Sequence, residues 1–175
     1  MAGTVGMMGG VPILSSCSTD KSKKGELTLP KLLKQAPDGK VLKAGLIGCG
    51  GRGTGAAMDF LDAGPNLQIV ALGDVFQDKL NSCREILKKE RNVEISDEKC
   101  FIGFDSYEKV IDSGVDVVLL CTPPHFRPAH LEAAVNAQKH IFMEKPIAVD
   151  PTGVRKVLAE VKRAKTLKLN IISGT

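Results

Sequence analysis

The segment Val41-Leu42-Lys43-Ala44-Gly45-Leu46-Ile47-Gly48-Cys49-Gly50-Gly51-Arg52-Gly53 decides how this chain is read. Its first seven residues are a largely apolar run of strand length, and glycines follow at positions 48, 50 and 53. A helix-compatible stretch then extends to Ala63 and is stopped by Gly64-Pro65. A G-x-G-x-x-G loop between a strand and a helix fits the fingerprint of dinucleotide binding. Gly48 permits the tight turn off the strand, Gly50 lets backbone approach a pyrophosphate, and Gly53 lets the helix pack close on the sheet. Gly51 and Arg52 open that helix, whose free N–H groups and positive dipole end favour phosphate.

Working outward, the pattern repeats. Leu67 to Leu72 reads as a second strand. Phe76, Leu80, Cys83 and Leu87 recur at helical spacing and predict one buried helix face. A short strand near Cys100 to Gly103 leads to Asp105, with Glu108 three residues on as a capping box. Val115 to Leu120 is a continuous apolar run of the kind parallel sheets bury on both faces. A helix from about Pro128 to Gln138 and a strand from His140 to Met143 follow. Asp150-Pro151 opens a last helix, with Val154, Leu158 and Val161 as its apolar face, and Leu167 to Ile172 is the last strand. Six strands alternating with five helices predict an α/β fold with a doubly wound parallel sheet.

Asp74 closes the second strand, 26 residues after Gly48, where an acid accepts hydrogen bonds from the adenosine ribose hydroxyls. The competing reading is a solvated loop acid or a cap for the helix that begins there. An acid at this place repels a 2′-phosphate and favours NAD over NADP, while Arg52 blurs the choice because it can pair with phosphate.

The bulk properties narrow the function classes. The 175 residues allow one full domain. The net charge of +4 comes wholly from residues 1–43, which hold seven lysines against Asp20, Glu26 and Asp38; the remainder balances 17 basic and 17 acidic residues. With no tryptophan and one tyrosine, the domain has neither the basic face nor the stacking surface of a nucleic-acid binder. Cysteines at 17, 49, 83, 100 and 121 form no CxxC pair and no metal-ligand spacing with the three histidines, so no metal site is expected. Four of them read as small core residues. Residues 1–17 resemble a secretory signal ending on a lipobox, with Cys17 as the lipid-anchored residue of an exported, cell-envelope protein. No arginine-bearing region precedes it, so a cytoplasmic leader stays open. Residues 18–40, rich in Lys, Ser, Thr, Gly and Pro, read as a flexible tether, and 41–175 as the nucleotide-binding domain.

From Leu42 onward the chain resembles the glucose–fructose oxidoreductase / inositol dehydrogenase / MocA family. Four ordered motifs carry the resemblance: Lys43 to Gly53; Ala71-Leu72-Gly73-Asp74-Val75-Phe76; Cys121-Thr122-Pro123-Pro124-His125; and Lys139-His140-Ile141-Phe142-Met143-Glu144-Lys145-Pro146. The resemblance implies a Rossmann domain that binds NAD, with Thr122, Pro123, His125, Glu144 and Lys145 near the nicotinamide. It implies that Lys145 is catalytic, bonding the hydroxyl of a sugar or polyol as that carbon is oxidised. His125 is read as a substrate or cofactor contact or a structural histidine, His130 as part of a helix's first turn, and His140 as structural. The family's second half, an α/β domain with a mostly antiparallel sheet, carries further catalytic groups, and the printed sequence ends with the sixth strand. Turnover by these residues alone is therefore not expected, and a homo-oligomer is expected of a full-length form. Three functions stand at this point: a sugar or polyol oxidoreductase, an NAD-dependent glycoside hydrolase working by transient oxidation and elimination, and a non-catalytic NAD-binding module.

Overall fold

The computed structural model describes residues 39–174. The signal-like head, Cys17 and nearly all of the tether lie outside the described residues. Eleven regular elements follow one another as strand and helix: β1 (Leu42–Ile47), α1 (Gly51–Asp62), β2 (Leu67–Asp74), α2 (Gln77–Arg91), β3 (Cys100–Ile102), α3 (Ser106–Asp112), β4 (Val117–Leu120), α4 (Arg127–Asn136), β5 (His140–Met143), α5 (Pro151–Thr166) and β6 (Ile171–Ser173). All strand pairs are parallel and the sheet order is β3-β2-β1-β4-β5-β6. The order reverses between β1 and β4, which opens a crevice above their carboxyl ends.

Two cores form because successive strand residues point to opposite faces. Ala44 and Leu46 of β1 join Leu119 of β4 in the cluster beneath α1 and α2. Ile47, Val118 and Leu120 enter the other cluster, with Val110, Leu131 and Val157 of α3, α4 and α5. Cys49 and Cys83 are buried as small apolar residues, and Cys100 and Cys121 are half-buried.

The structure corrects four local expectations. Phe76 is 63% exposed and precedes α2 in an extended conformation, so only Leu80, Cys83 and Leu87 form that helix's buried face. The capping box at Asp105 does not form: its side chain pairs with Lys109, and Glu108 accepts from the Tyr107 hydroxyl. The buried residues of α5 are Val157, Glu160 and Ala164, whereas Leu158 and Val161 are 53% and 40% exposed. Small residues set that rotation, because a Cβ on Gly153 would lie 3.2 Å from Pro128 of α4, and Arg163 links buried Glu160 to Asn136. Leu167 caps α5 instead of opening a strand, Lys168 is left-handed, and β6 starts at Ile171. The expected cap of α5 does form, with Asp150 accepting from the Gly153 N–H at 2.6 Å.

Candidate cofactor site

The crevice is built from the loops that leave β1, β2 and β4. Gly48 ends β1 with a φ of +95°, a conformation glycine adopts without strain. A Cβ there would lie 2.8 Å from both the Cys121 carbonyl carbon and the Thr122 nitrogen, so the glycine loop and the Thr122-Pro123 loop meet at this point. A Cβ on Gly53 would collide with the Gly48 carbonyl oxygen, and the start of α1 therefore sits directly on the end of β1. Positions 50 and 51 are the opposite case: a Cβ on either meets nothing within 4 Å. The motif thus has two glycines locked into protein and two facing open space, which is the shape a pyrophosphate requires beside a helix N-terminus.

Asp74 ends β2 and ties two loops together. Its Oδ2 accepts from the Cys49 N–H at 2.6 Å and its Oδ1 from the Phe76 N–H at 2.9 Å. Each carboxylate oxygen keeps a second lone pair, so ribose hydroxyls can still donate to it. Gly48, Gly50, Asp74, Thr122 and Pro123 line one cavity of 540 Å³. The expected site residues Gly51, Arg52, Gly53, His125, Glu144 and Lys145 do not line it. His125 is exposed, edge-on to the Phe126 ring at 5.2 Å, and Lys145 is exposed beyond the end of β5.

Arg52 has a protein partner. Its Nε lies 2.7 Å and its Nη2 2.5 Å from Glu144 Oε1, and a longer contact of 3.6 Å reaches Asp59. Glu144 is buried, and the hydrogen bond from Arg52 holds its carboxyl below the usual carboxylate range. The pair joins the first turn of α1 to the end of β5.

Several cavity residues were not legible as such. His130 is 7% exposed, stacks on Tyr107 at 4.2 Å and lies 3.2 Å from the Thr122 hydroxyl through Nδ1. Burial lowers its pKa to about 4, so it is neutral at pH 7. Arg127, the first residue of α4, is 5% exposed; it donates to the Pro146 carbonyl, and its Nε has no partner. Phe76, Phe104 and Phe126 supply apolar walls. The one sequence signal for the Arg127 turn is Pro128, which marks a helix start. His140 accepts from the Asn170 N–H at 3.1 Å, a structural tie between β5 and the segment before β6.

Residues 42–170 match the model of an oxidoreductase family with an NAD-binding Rossmann fold. The chain belongs to the Gfo/Idh/MocA oxidoreductase family. The described residues are that family's NAD-binding domain. Among its relatives, myo-inositol 2-dehydrogenase of Thermotoga maritima is 29% identical over 126 residues, covering 72% of this chain and 34% of that protein. A glycosyl hydrolase family 109 protein of Phocaeicola vulgatus is 31% identical over 118 residues, covering 66% of this chain and 22% of its own. Scyllo-inositol dehydrogenase from Lactobacillus casei, solved with bound NAD(H) and scyllo-inositol, superposes with a TM-score of 0.61 at 25% identity, over 77% of this chain and 36% of that one. The chain thus spans about a third of the length of the inositol dehydrogenases that it matches.

Proposed function

We propose that this chain is the cofactor half of an NAD-dependent oxidoreductase acting on a sugar or polyol, with NAD preferred over NADP. The observation that carries the reading is the open space at Gly50, and beside it at Gly51, with Gly50 and Asp74 in the wall of the same cavity. Gly50 and Gly51 would face the pyrophosphate, Asp74 the ribose, and Thr122 and Pro123 the nicotinamide side. Arg52 supports the NAD preference, because its guanidinium is engaged by Glu144 and, among the described residues, Asp74 forms no ion pair and accepts from the backbone N–H groups of Cys49 and Phe76. Bound NAD supplies a two-electron hydride acceptor. Lys145 would receive the proton of the substrate hydroxyl while that carbon is oxidised, and His125 is a candidate contact to substrate or cofactor. The neutral His130 ring fixes the Thr122 hydroxyl without adding charge. The second domain present in the longer relatives would supply the facing wall for the substrate. Holding reactants in line within such a crevice is worth about 7–11 kcal/mol, so a one-walled site turns over little.

The family 109 relative favours a second reading, in which the same oxidation is transient and leads to elimination of a glycosidic bond. Assays of the full-length form with polyols and with aryl glycosides separate the two. NADH accumulation with polyols supports the first; aryl glycoside cleavage without net NADH supports the second; neither activity refutes both. Export with a lipid on Cys17, and homo-oligomer assembly, belong to the same proposal. Mass spectrometry of the native protein should find a diacylglycerol-modified Cys17 at the mature N-terminus, and an unmodified Cys17 in the native protein refutes that part.

A further inference from the structure

The turn that carries Lys145 is held on both sides, and one of its two holders is energetically out of place. On one side the Glu144 carboxylate is held by Arg52, from the first turn of α1. On the other the Pro146 carbonyl accepts from Arg127, the first residue of α4. Arg52 is half exposed and paired with an acid, an ordinary arrangement. Arg127 is 5% exposed, has among the described residues no carboxylate within ion-pair distance and no partner for its Nε, and stands at the positive end of a helix. Each of these disfavours a cation. Its one acceptor gives little back to stability, because Pro146 is exposed and its carbonyl can turn to water. A buried arginine that costs this much and bonds only a solvent-exposed turn is explained by what the turn carries.

We propose that Arg127 is a positioning residue for Lys145: by clipping the Pro146 carbonyl to the start of α4, it ties the Thr122-Pro123 loop to the Lys145 turn. The inference rests on the cofactor reading above, since it is the crevice beside those loops that gives the position of Lys145 its meaning. Arg52 holds the neighbouring residue to the glycine loop, so the turn is referenced to both loops that border the crevice. With Arg127 replaced, Lys145 keeps its sequence neighbours and loses its fixed place.

The test uses the whole 175-residue chain, NAD as the probe, and amide NMR with hydrogen exchange at saturating NAD. Arg127→Met keeps the aliphatic bulk and removes donor and charge; Arg127→Lys restores a charged donor; Arg127→Gln serves in place of Met if that variant does not fold. The expected result is broadened or doubled Lys145 and Ile147 amide signals in Arg127→Met, exchange at Glu144, Lys145 and Ile147 faster by about tenfold, a melting temperature equal to or above the parent's, and recovery of at least half the change in Arg127→Lys. A purely structural arginine predicts the reverse: a lower melting temperature, changes spread through α4, and no selective effect at Lys145. That outcome overturns the proposal, as does an unperturbed Lys145 turn in Arg127→Met. If NAD leaves the Gly50 and Gly51 amides of the parent unmoved, the cofactor reading falls and this inference falls with it.

Discussion

Two glycines three residues apart in one motif should respond to substitution in opposite ways. At Gly53 an alanine Cβ would collide with the Gly48 carbonyl oxygen and sit 3.0 Å from its carbon and 3.3 Å from the Cys121 Cβ. Two of those atoms are backbone, so β1 and α1 must separate. Overpacking of this kind costs about 1–3 kcal/mol or more, while replacing glycine within a helix returns about 1 kcal/mol. With two backbone atoms in the clash the upper end of that cost applies, and the net for Gly53→Ala is a loss of up to about 2 kcal/mol, or up to about 4–8 °C in melting temperature for a domain of this size. At Gly50 the new Cβ meets nothing, and φ of −67° suits any residue. The weaker cap that alanine makes at this position, up to about 1 kcal/mol, is offset by about 0.4–1 kcal/mol from a less flexible unfolded chain. Gly50→Ala should therefore keep parental stability within about 0.5 kcal/mol, and Gly50→Val should fold and lose NAD affinity by about 100-fold or more, as its side chain fills the phosphate space. Urea unfolding followed by circular dichroism, with calorimetric NAD titration of the same samples, reads both effects. Equal destabilisation at the two positions, or a Gly50→Val protein with parental NAD affinity, would refute the reasoning.

Further outcomes follow from the titrating groups and from the ion pair. His130 has its pKa lowered from the ordinary 6.5 to about 4, so the unfolded chain binds its proton first, and stability falls as pH is lowered from 6.5 towards 4. The full effect is up to about 3 kcal/mol; unfolding midpoints at pH 7.5, 6.5, 5.5 and 4.5 should show it, and His130→Gln should flatten the slope between 6.5 and 5. Glu144, held low by Arg52, adds a loss that begins as pH falls into the ordinary carboxylate range and continues below it. Arg52→Met leaves that buried carboxylate unpaired and should cost about 2–3 kcal/mol in chemical denaturation, the low end for a buried pair because Arg52 is half exposed. An Arg52→Met protein as stable as the parent would show that the pair is incidental.

The fold and the phosphate loop were legible because they depend on patterns local in sequence. Apolar runs of strand length, helical spacing and the three glycines are set within a dozen residues, and β5 appears at the expected His140–Met143. The failures are tertiary. Nothing local to α5 tells that Gly153 and Ala164 would turn towards α4 and leave Leu158 and Val161 outside. Phe76 continued a helical spacing by count, yet the helix begins one residue after it. In the site, Asp74 was found by its place at the end of β2, and Thr122 through the resemblance of Cys121-Thr122-Pro123-Pro124-His125 to the family's motif. Arg127 and His130 were not, because their meaning lies in burial and in partners 19 and 8 residues away. Arg52 beside a glycine loop suggests phosphate; its partner is instead 92 residues on, at the end of β5.

The central claim is that the crevice between the glycine loop, Asp74 and the Thr122-Pro123 loop binds NAD. Calorimetric titration of the 175-residue chain with NAD and NADP in parallel, repeated with Asp74→Ala, tests it most directly. The account predicts saturable one-to-one NAD binding, NADP weaker by about tenfold or more because its phosphate meets the Asp74 carboxylate, and a loss of that discrimination in Asp74→Ala. NADP binding as tight as NAD, or no saturable binding of either, would contradict it.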